Sequence, residues 1–168
     1  PNKDDWCVSG TKETRDNLVC SIQLDPNDLE DHVRHLHEKA ALMAEKEVRW
    51  AEYRTEDADV VFVGYGVISR ILQGVVDAAR EEGIKVGLLR PITLWPFPNE
   101  ALRAVCARAK VCLAVELSTG QMVEDVRLAV SDLVPVKFYG RAGGVLPAAE
   151  DILAETREIA AEFQGVTA

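Results

Sequence analysis

The sequence is short of the features that would announce a metal, a membrane or a nucleic acid. No two of its four cysteines, Cys7, Cys20, Cys106 and Cys112, form a C-x-x-C pair, so neither a zinc knuckle nor an iron–sulfur ligand set is encoded by spacing. They read as free thiols. No apolar run approaches the roughly 18 residues that a membrane helix needs, and no signal peptide is recognisable ahead of the fold, so a cytoplasmic protein is expected. Basic residues are outnumbered, 19 against 28 acidic ones for a net charge of −9. With no local basic patch, a nucleic-acid partner or an anionic membrane surface is excluded. Internal repeats and low-complexity tracts are also missing.

What is present is an ordinary globular composition. The chain has 168 residues, 48% of them apolar and 28% charged, enough for one good core and an arm. Charge is uneven: residues 1–59 hold 8 basic against 15 acidic side chains, a net of −7, and residues 60–168 hold 11 against 13, a net of −2. The first third therefore reads as a solvated acidic arm and the rest as a compact body. A start at Pro1 without Met is expected of a segment excised from a longer chain, or of a chain whose leading Met is removed.

Trp6–Ser9 and Leu18–Leu24 are short apolar segments that suit strands or an extended arm. Asp25-Pro26 has the chemistry of a helix N-cap followed by proline at the first helical position. From there Leu29, Val33, Leu36, Ala40 and Met43 recur every three or four residues, which predicts a long amphipathic helix to about Arg54, although Val48, Trp50 and Tyr53 also suit an extended segment.

After Thr55 the pattern changes to apolar runs of strand length alternating with helices, the mark of a parallel sheet covered on both faces. Strands are expected at Val60–Val63, Val86–Leu89, Val111–Val115 and Val134–Tyr139, the last at an edge because of Pro135 and Lys137. Helices are expected from Ile68 to Gly83, after a cap at Asn99, after a Ser118–Gln121 capping box, and from Pro147. The fold class is α/β, a three-layer α/β/α arrangement around a mostly parallel sheet of about five strands.

Several motifs carry possible chemistry. Gly64-Tyr65-Gly66-Val67-Ile68-Ser69 approaches the dinucleotide fingerprint, but Ser69 replaces the third glycine, and Arg90 stands where an acidic ribose ligand would be. A tight βα turn is the plainer reading. Gly140-Arg141-Ala142-Gly143-Gly144 offers backbone amides beside a guanidinium, suited to an anion or simply to a flexible connection. Glu116, ending a buried strand, can serve as an acid or base, or be held as a structural carboxylate by loop amides. His32, His35 and His37 lie on one predicted helix, yet only His32 and His35 approach one face, too few for a zinc site. In the loop Arg90-Pro91-Ile92-Thr93-Leu94-Trp95-Pro96-Phe97-Pro98, a packed corner and a subunit contact account equally well for Trp95 and Phe97, since large aromatics dominate both cores and interface hot spots.

Taken together, Gly64-Tyr65-Gly66, Arg90–Pro98, Glu116-Leu117-Ser118-Thr119-Gly120-Gln121-Met122 and Phe138-Tyr139-Gly140-Arg141 resemble the alpha subunit of 2-oxoacid:ferredoxin oxidoreductases, most nearly the 2-oxoisovalerate (branched-chain) type. The resemblance covers essentially the whole chain. It implies that residues 1–55 are a connector arm with its long helix, and that residues 56–165 are the second core domain, similar to a transketolase C-terminal domain. It implies a complex that decarboxylates a branched 2-oxo acid on thiamine diphosphate with magnesium, passes electrons through iron–sulfur clusters to ferredoxin, and transfers the acyl group to coenzyme A. Its other subunits, ferredoxin and coenzyme A would be the partners. This chain has no Gly-Asp-Gly diphosphate motif and no cluster cysteines, and Ser118-Thr119 stand where that family tends to carry an Asn. No catalytic residue and no cofactor ligand is therefore carried over, and the chain alone is expected to be an inactive assembly domain. The rival expectation is a nucleotide- or anion-binding module, or a coenzyme A contact, using Gly64, Gly66, Ser69, Arg90 and Arg141.

Overall fold

A computed structural model describes residues 2, 3 and 5–164. The chain divides into two compact units between Leu42 and Met43. The first contains one 3-10 helix, Lys12–Asn17, and the start of helix α1 (Pro26–Lys46). Residues 18–24 adopt no regular structure. Asp25 caps α1 as expected: its carboxylate accepts the N–H of Asn27 at 2.8 Å and of Asp28 at 3.4 Å, and these bonds lower its pKa.

The second unit is built on five strands and four further helices: β1 (Trp50–Tyr53), β2 (Val60–Val63), α2 (Gly66–Glu81), β3 (Val86–Pro91), α3 (Asn99–Cys106), β4 (Val111–Glu116), α4 (Met122–Val130), β5 (Val136–Gly140) and α5 (Ala149–Gln164). The strand order is β1-β3-β2-β4-β5, with β1 antiparallel to β3 and all other pairs parallel. Strand side chains alternate between two cores. Val61, Val63, Leu89, Cys112 and Ala114 pack with Leu102 of α3 and Val126 of α4, while Val60, Phe62, Leu88, Leu113 and Val115 pack with Leu72 of α2 and Ile152 of α5. Every residue of β2 and β4 is buried. At about 1.5–3 kcal/mol for each fully buried aliphatic side chain, these two central strands organise the domain.

The three-layer, mostly parallel architecture is the expected one, with differences at the element ends. α1 stops at Lys46 rather than near Arg54, and Trp50–Tyr53 forms the fifth strand. β3 has a free edge, and hydrogen bonding to it outweighs continued helix. The Arg49 carbonyl accepts the N–H of Ile92 (3.0 Å) and Thr93 (3.2 Å), and the Arg49 N–H donates to Thr93 Oγ1 (3.0 Å). Asn99 is the first residue of α3 rather than its cap, and Pro98 precedes it without a side-chain bond. β5 is an edge strand, as Pro135 and Lys137 suggested.

Arg80 latches the turn after β1. Its guanidinium donates to the carbonyls of Val86 and Arg54 and to the Asp57 carboxylate, each at 2.7 Å, and so steadies Arg54 in a left-handed conformation (φ 54°) that disfavours most side chains. A Cβ on Gly87 would lie 2.6 Å from the Arg54 carbonyl oxygen and 2.8 Å from Thr55 Cα. Gly74, by contrast, sits mid-α2 in open space. Gly87→Ala is expected to cost about 2 kcal/mol through backbone displacement. Gly74→Ala should add about 0.5–1 kcal/mol through helix propensity. The two therefore move the urea midpoint in opposite directions, as circular dichroism would measure.

Candidate functional site

In a parallel sheet, ligands and partners gather at the carboxyl ends of the strands, where the chain turns into helices. Four loops meet that description here: residues 64–66 after β2, 92–98 after β3, 117–121 after β4 and 141–148 after β5.

The loop after β4 is organised by Glu116. This carboxylate is 1% exposed and accepts four hydrogen bonds: from Ser118 Oγ (2.9 Å) and from the backbone N–H groups of Gln121 (3.2 Å), Met122 (3.0 Å) and Val123 (2.8 Å). It therefore caps α4 from the end of the preceding strand, with its negative charge on the positive end of the helix dipole. The expected Ser118–Gln121 capping box does not form. Gln121 makes no side-chain cap bond; Glu116 takes the Gln121 N–H that a cap at Ser118 would have served, and the Ser118 hydroxyl donates to the carboxylate while accepting the Gly120 N–H (3.1 Å). Of the two readings of Glu116, the structural carboxylate is the one whose bonds are seen. The loop rests on Gly140, where a Cβ would fall 2.5 Å from the Ser118 carbonyl oxygen.

The anion candidates separate. Gly66, Ser69 and Arg90 come together with Val67 and Arg70 around a shallow groove of about 290 Å³. Gly66 opens α2 at φ +59°. Ser69 is buried, and its hydroxyl donates back to the Gly66 carbonyl at 2.7 Å. Gly64 does not line the groove: a Cβ there would meet Leu72 Cδ1 at 2.6 Å and Ile68 Cγ2 at 2.9 Å, so its smallness serves helix–strand packing. Arg141 lies elsewhere, after the edge strand β5, and its N–H donates to the Glu116 carbonyl (3.1 Å). Arg70 was not singled out from sequence, although its place one turn beyond Gly66 was a signal for it.

The loop after β3 divides its residues between inside and outside. Pro96 and Pro98 are buried, and Phe97 packs against the α3/α4 core. Trp95 is 60% exposed. Thr93 holds the loop's shape by donating to the Pro96 carbonyl (2.9 Å), and the Trp95–Pro96 peptide is cis. Trp95, Leu94 and Phe97 line a groove of about 500 Å³ together with Trp50 of β1 and Leu128 of α4. Sequence reasoning missed the last two, because Trp50 suits either the end of a helix or an extended segment and Leu128 falls outside the apolar stripe of α4.

Among the described residues no group of three or more His, Cys, Asp or Glu side chains is placed to hold a metal. Cys106 and Cys112 are fully buried, and pairing with the Cys106 sulfur together with burial pushes the Cys112 thiol well up. No described helix is long and apolar enough to cross a membrane.

Solved structures define the fold. The fold superposes on a 2-oxoglutarate:ferredoxin oxidoreductase from Magnetococcus marinus with a TM-score of 0.71 at 23% identity, over 82% of this chain and 24% of that one. It superposes on a split-gene transketolase with a TM-score of 0.57 at 18% identity, over 67% of this chain and 41% of that one. The fold is thus transketolase-like α/β. Residues 58–152 match the model for pyruvate:ferredoxin oxidoreductase core domain II, and the chain belongs to that family. It is 49% identical over 157 residues to the ketoisovalerate oxidoreductase subunit VorB of Methanothermobacter marburgensis, and 46% identical to VorB of Methanothermobacter thermautotrophicus. It is 30% identical over 150 residues to the 2-oxoglutarate synthase subunit KorA of M. marburgensis. The VorB matches take in 94% of this chain and 44% of each relative, so the chain spans less than half the length of these curated relatives.

Because Glu116 serves three α4 amides and a hydroxyl at once, Glu116→Gln should lower stability by about 2 kcal/mol, the scale of one or two charge-assisted hydrogen bonds. Glu116→Ala, which orphans the buried amides, should cost more. Urea unfolding of the two variants would give the order, and an unchanged midpoint for both would show that Glu116 does not cap α4.

Proposed function

We propose that this chain is the core-domain-II portion of an alpha-type subunit of a cytoplasmic 2-oxoisovalerate:ferredoxin oxidoreductase, an enzyme that converts a branched-chain 2-oxo acid, coenzyme A and oxidised ferredoxin to acyl-CoA, carbon dioxide and reduced ferredoxin. The observation that carries this reading is the 49% identity to a ketoisovalerate oxidoreductase subunit across 94% of the chain, against 30% to a 2-oxoglutarate synthase subunit. Residues 1–55 serve as a connector in this reading and residues 56–165 as the domain proper.

Such an enzyme needs thiamine diphosphate with magnesium and iron–sulfur clusters. The cysteines of this chain do not fit an iron–sulfur cluster. Among the described residues there is no metal-ligand cluster. Cys106 and Cys112 lie within the α3/α4 core, short of the four thiolates that a cluster takes. The chain's contribution is mechanical: a rigid doubly covered sheet whose strand-end loops are fixed in place, Glu116 locking one and Thr93 another, so that neighbouring subunits meet a preformed surface.

The test is turnover by the purified complex that contains this chain, with a ferredoxin or viologen acceptor and coenzyme A. The expected order of kcat/KM places 3-methyl-2-oxobutanoate above pyruvate and 2-oxoglutarate by at least about tenfold, the discrimination that one or two methylenes in an apolar pocket supply. A complex that prefers pyruvate or 2-oxoglutarate overturns the substrate assignment, and one that turns over none of the three overturns the function.

A further inference from the structure

The groove of about 500 Å³ beside Trp95 is lined by large apolar side chains that stand exposed in the second unit. Trp95 is 60% exposed, Trp50 41%, Leu94 44% and Leu128 85%. Contiguous exposed apolar surface of this kind marks interaction sites on proteins that must stay in water, and tryptophan is the residue most enriched at interface hot spots. The walls are fixed before anything binds. Phe97 is anchored in the core, Pro96 and Pro98 are buried, and Thr93 ties the loop both to Arg49 and to Pro96. Little conformational entropy is left to lose on association.

Charge selects the occupant. The charged side chains lining the groove are Glu100 and Asp125, and among the described residues neither is in a salt bridge. A second copy of this chain, with its net charge of −9, would bring acid against acid, and an anionic membrane would be repelled in the same way. We propose that the groove receives a segment of another subunit of the oxidoreductase, one that presents a bulky apolar side chain with a lysine or arginine beside it. The apolar group fills the space between Trp50, Trp95 and Leu128, and the cation meets Glu100 and Asp125. This rests on the assignment of the chain to a multi-subunit enzyme.

The test uses the complex with two double variants of this chain, Trp95→Ala with Leu128→Ala, and Glu100→Lys with Asp125→Lys. Leu133→Ala, exposed but away from the groove, is the control. Native mass spectrometry across a salt series gives subunit composition, and thermal melts of each variant complex show that the fold survives. The apolar pair is expected to weaken retention of one neighbouring subunit by at least about tenfold, the loss of a single hot spot. The charge reversal is expected to weaken it several-fold and to remove its salt dependence, while Leu133→Ala retains every subunit. Full retention in both groove variants overturns the proposal. So does a chain that dimerises with itself through Trp95, or one that binds phosphatidylserine vesicles. A complex that turns over the branched-chain acid yet ignores the groove variants leaves the enzyme assignment standing and this one fallen. A groove-dependent complex that prefers another 2-oxo acid does the reverse.

Discussion

Glu116 is a carboxylate taken almost wholly out of water, which is costly for a charge unless donors surround it. Its four donors come from one short stretch, Ser118 to Val123, so satisfying the charge and folding the loop are the same event. Once the carboxylate is in place, α4 begins where it must, Gly140 can lie against the Ser118 carbonyl, and the Arg141 N–H finds the Glu116 backbone. The ends of β4 and β5 are in this way aligned by one side chain. A residue without an acceptor at position 116 would leave three amides at the α4 N-terminus without their protein acceptor.

The parallel body of the fold was legible because its strands are buried on both faces. Val60–Val63 and Val111–Val115 have no polar alternation to mislead, and an apolar run of that length between turn residues is too short for a buried helix. Glycine was legible where its role is a backbone one, as at Gly83, which ends α2 at φ +83°. The strand β1 was not. Trp50-Ala51-Glu52-Tyr53 has mixed polarity, and nothing local distinguishes it from the tail of an amphipathic helix. What makes it a strand is the vacant edge of β3, a partner about forty residues away, and that is tertiary information.

The candidate site was legible in part for a similar reason. The Trp95 loop stood out by composition, but the division of labour within it did not, because whether Phe97 turns inward and Trp95 outward depends on the helix beneath. Leu128 and Trp50 complete the groove from separate elements, so no window of sequence contains it. Glu116 illustrates the converse. Its position at a strand end pointed to a role, yet the apparent capping box at Ser118–Gln121 concealed that the cap lies two residues earlier.

Thr93 does more than hold its own loop. By accepting the Arg49 N–H while it donates to the Pro96 carbonyl, one hydroxyl joins the entry of the edge strand to the apolar loop as a single stiff lever. The edge strand and the Trp95 loop are thus held to each other at the margin of the sheet, with β2 two rows from β1 and β4 three. Removing that one oxygen would leave the strand entry tied to the loop only through the backbone, by the N–H groups of Ile92 and Thr93 on the Arg49 carbonyl.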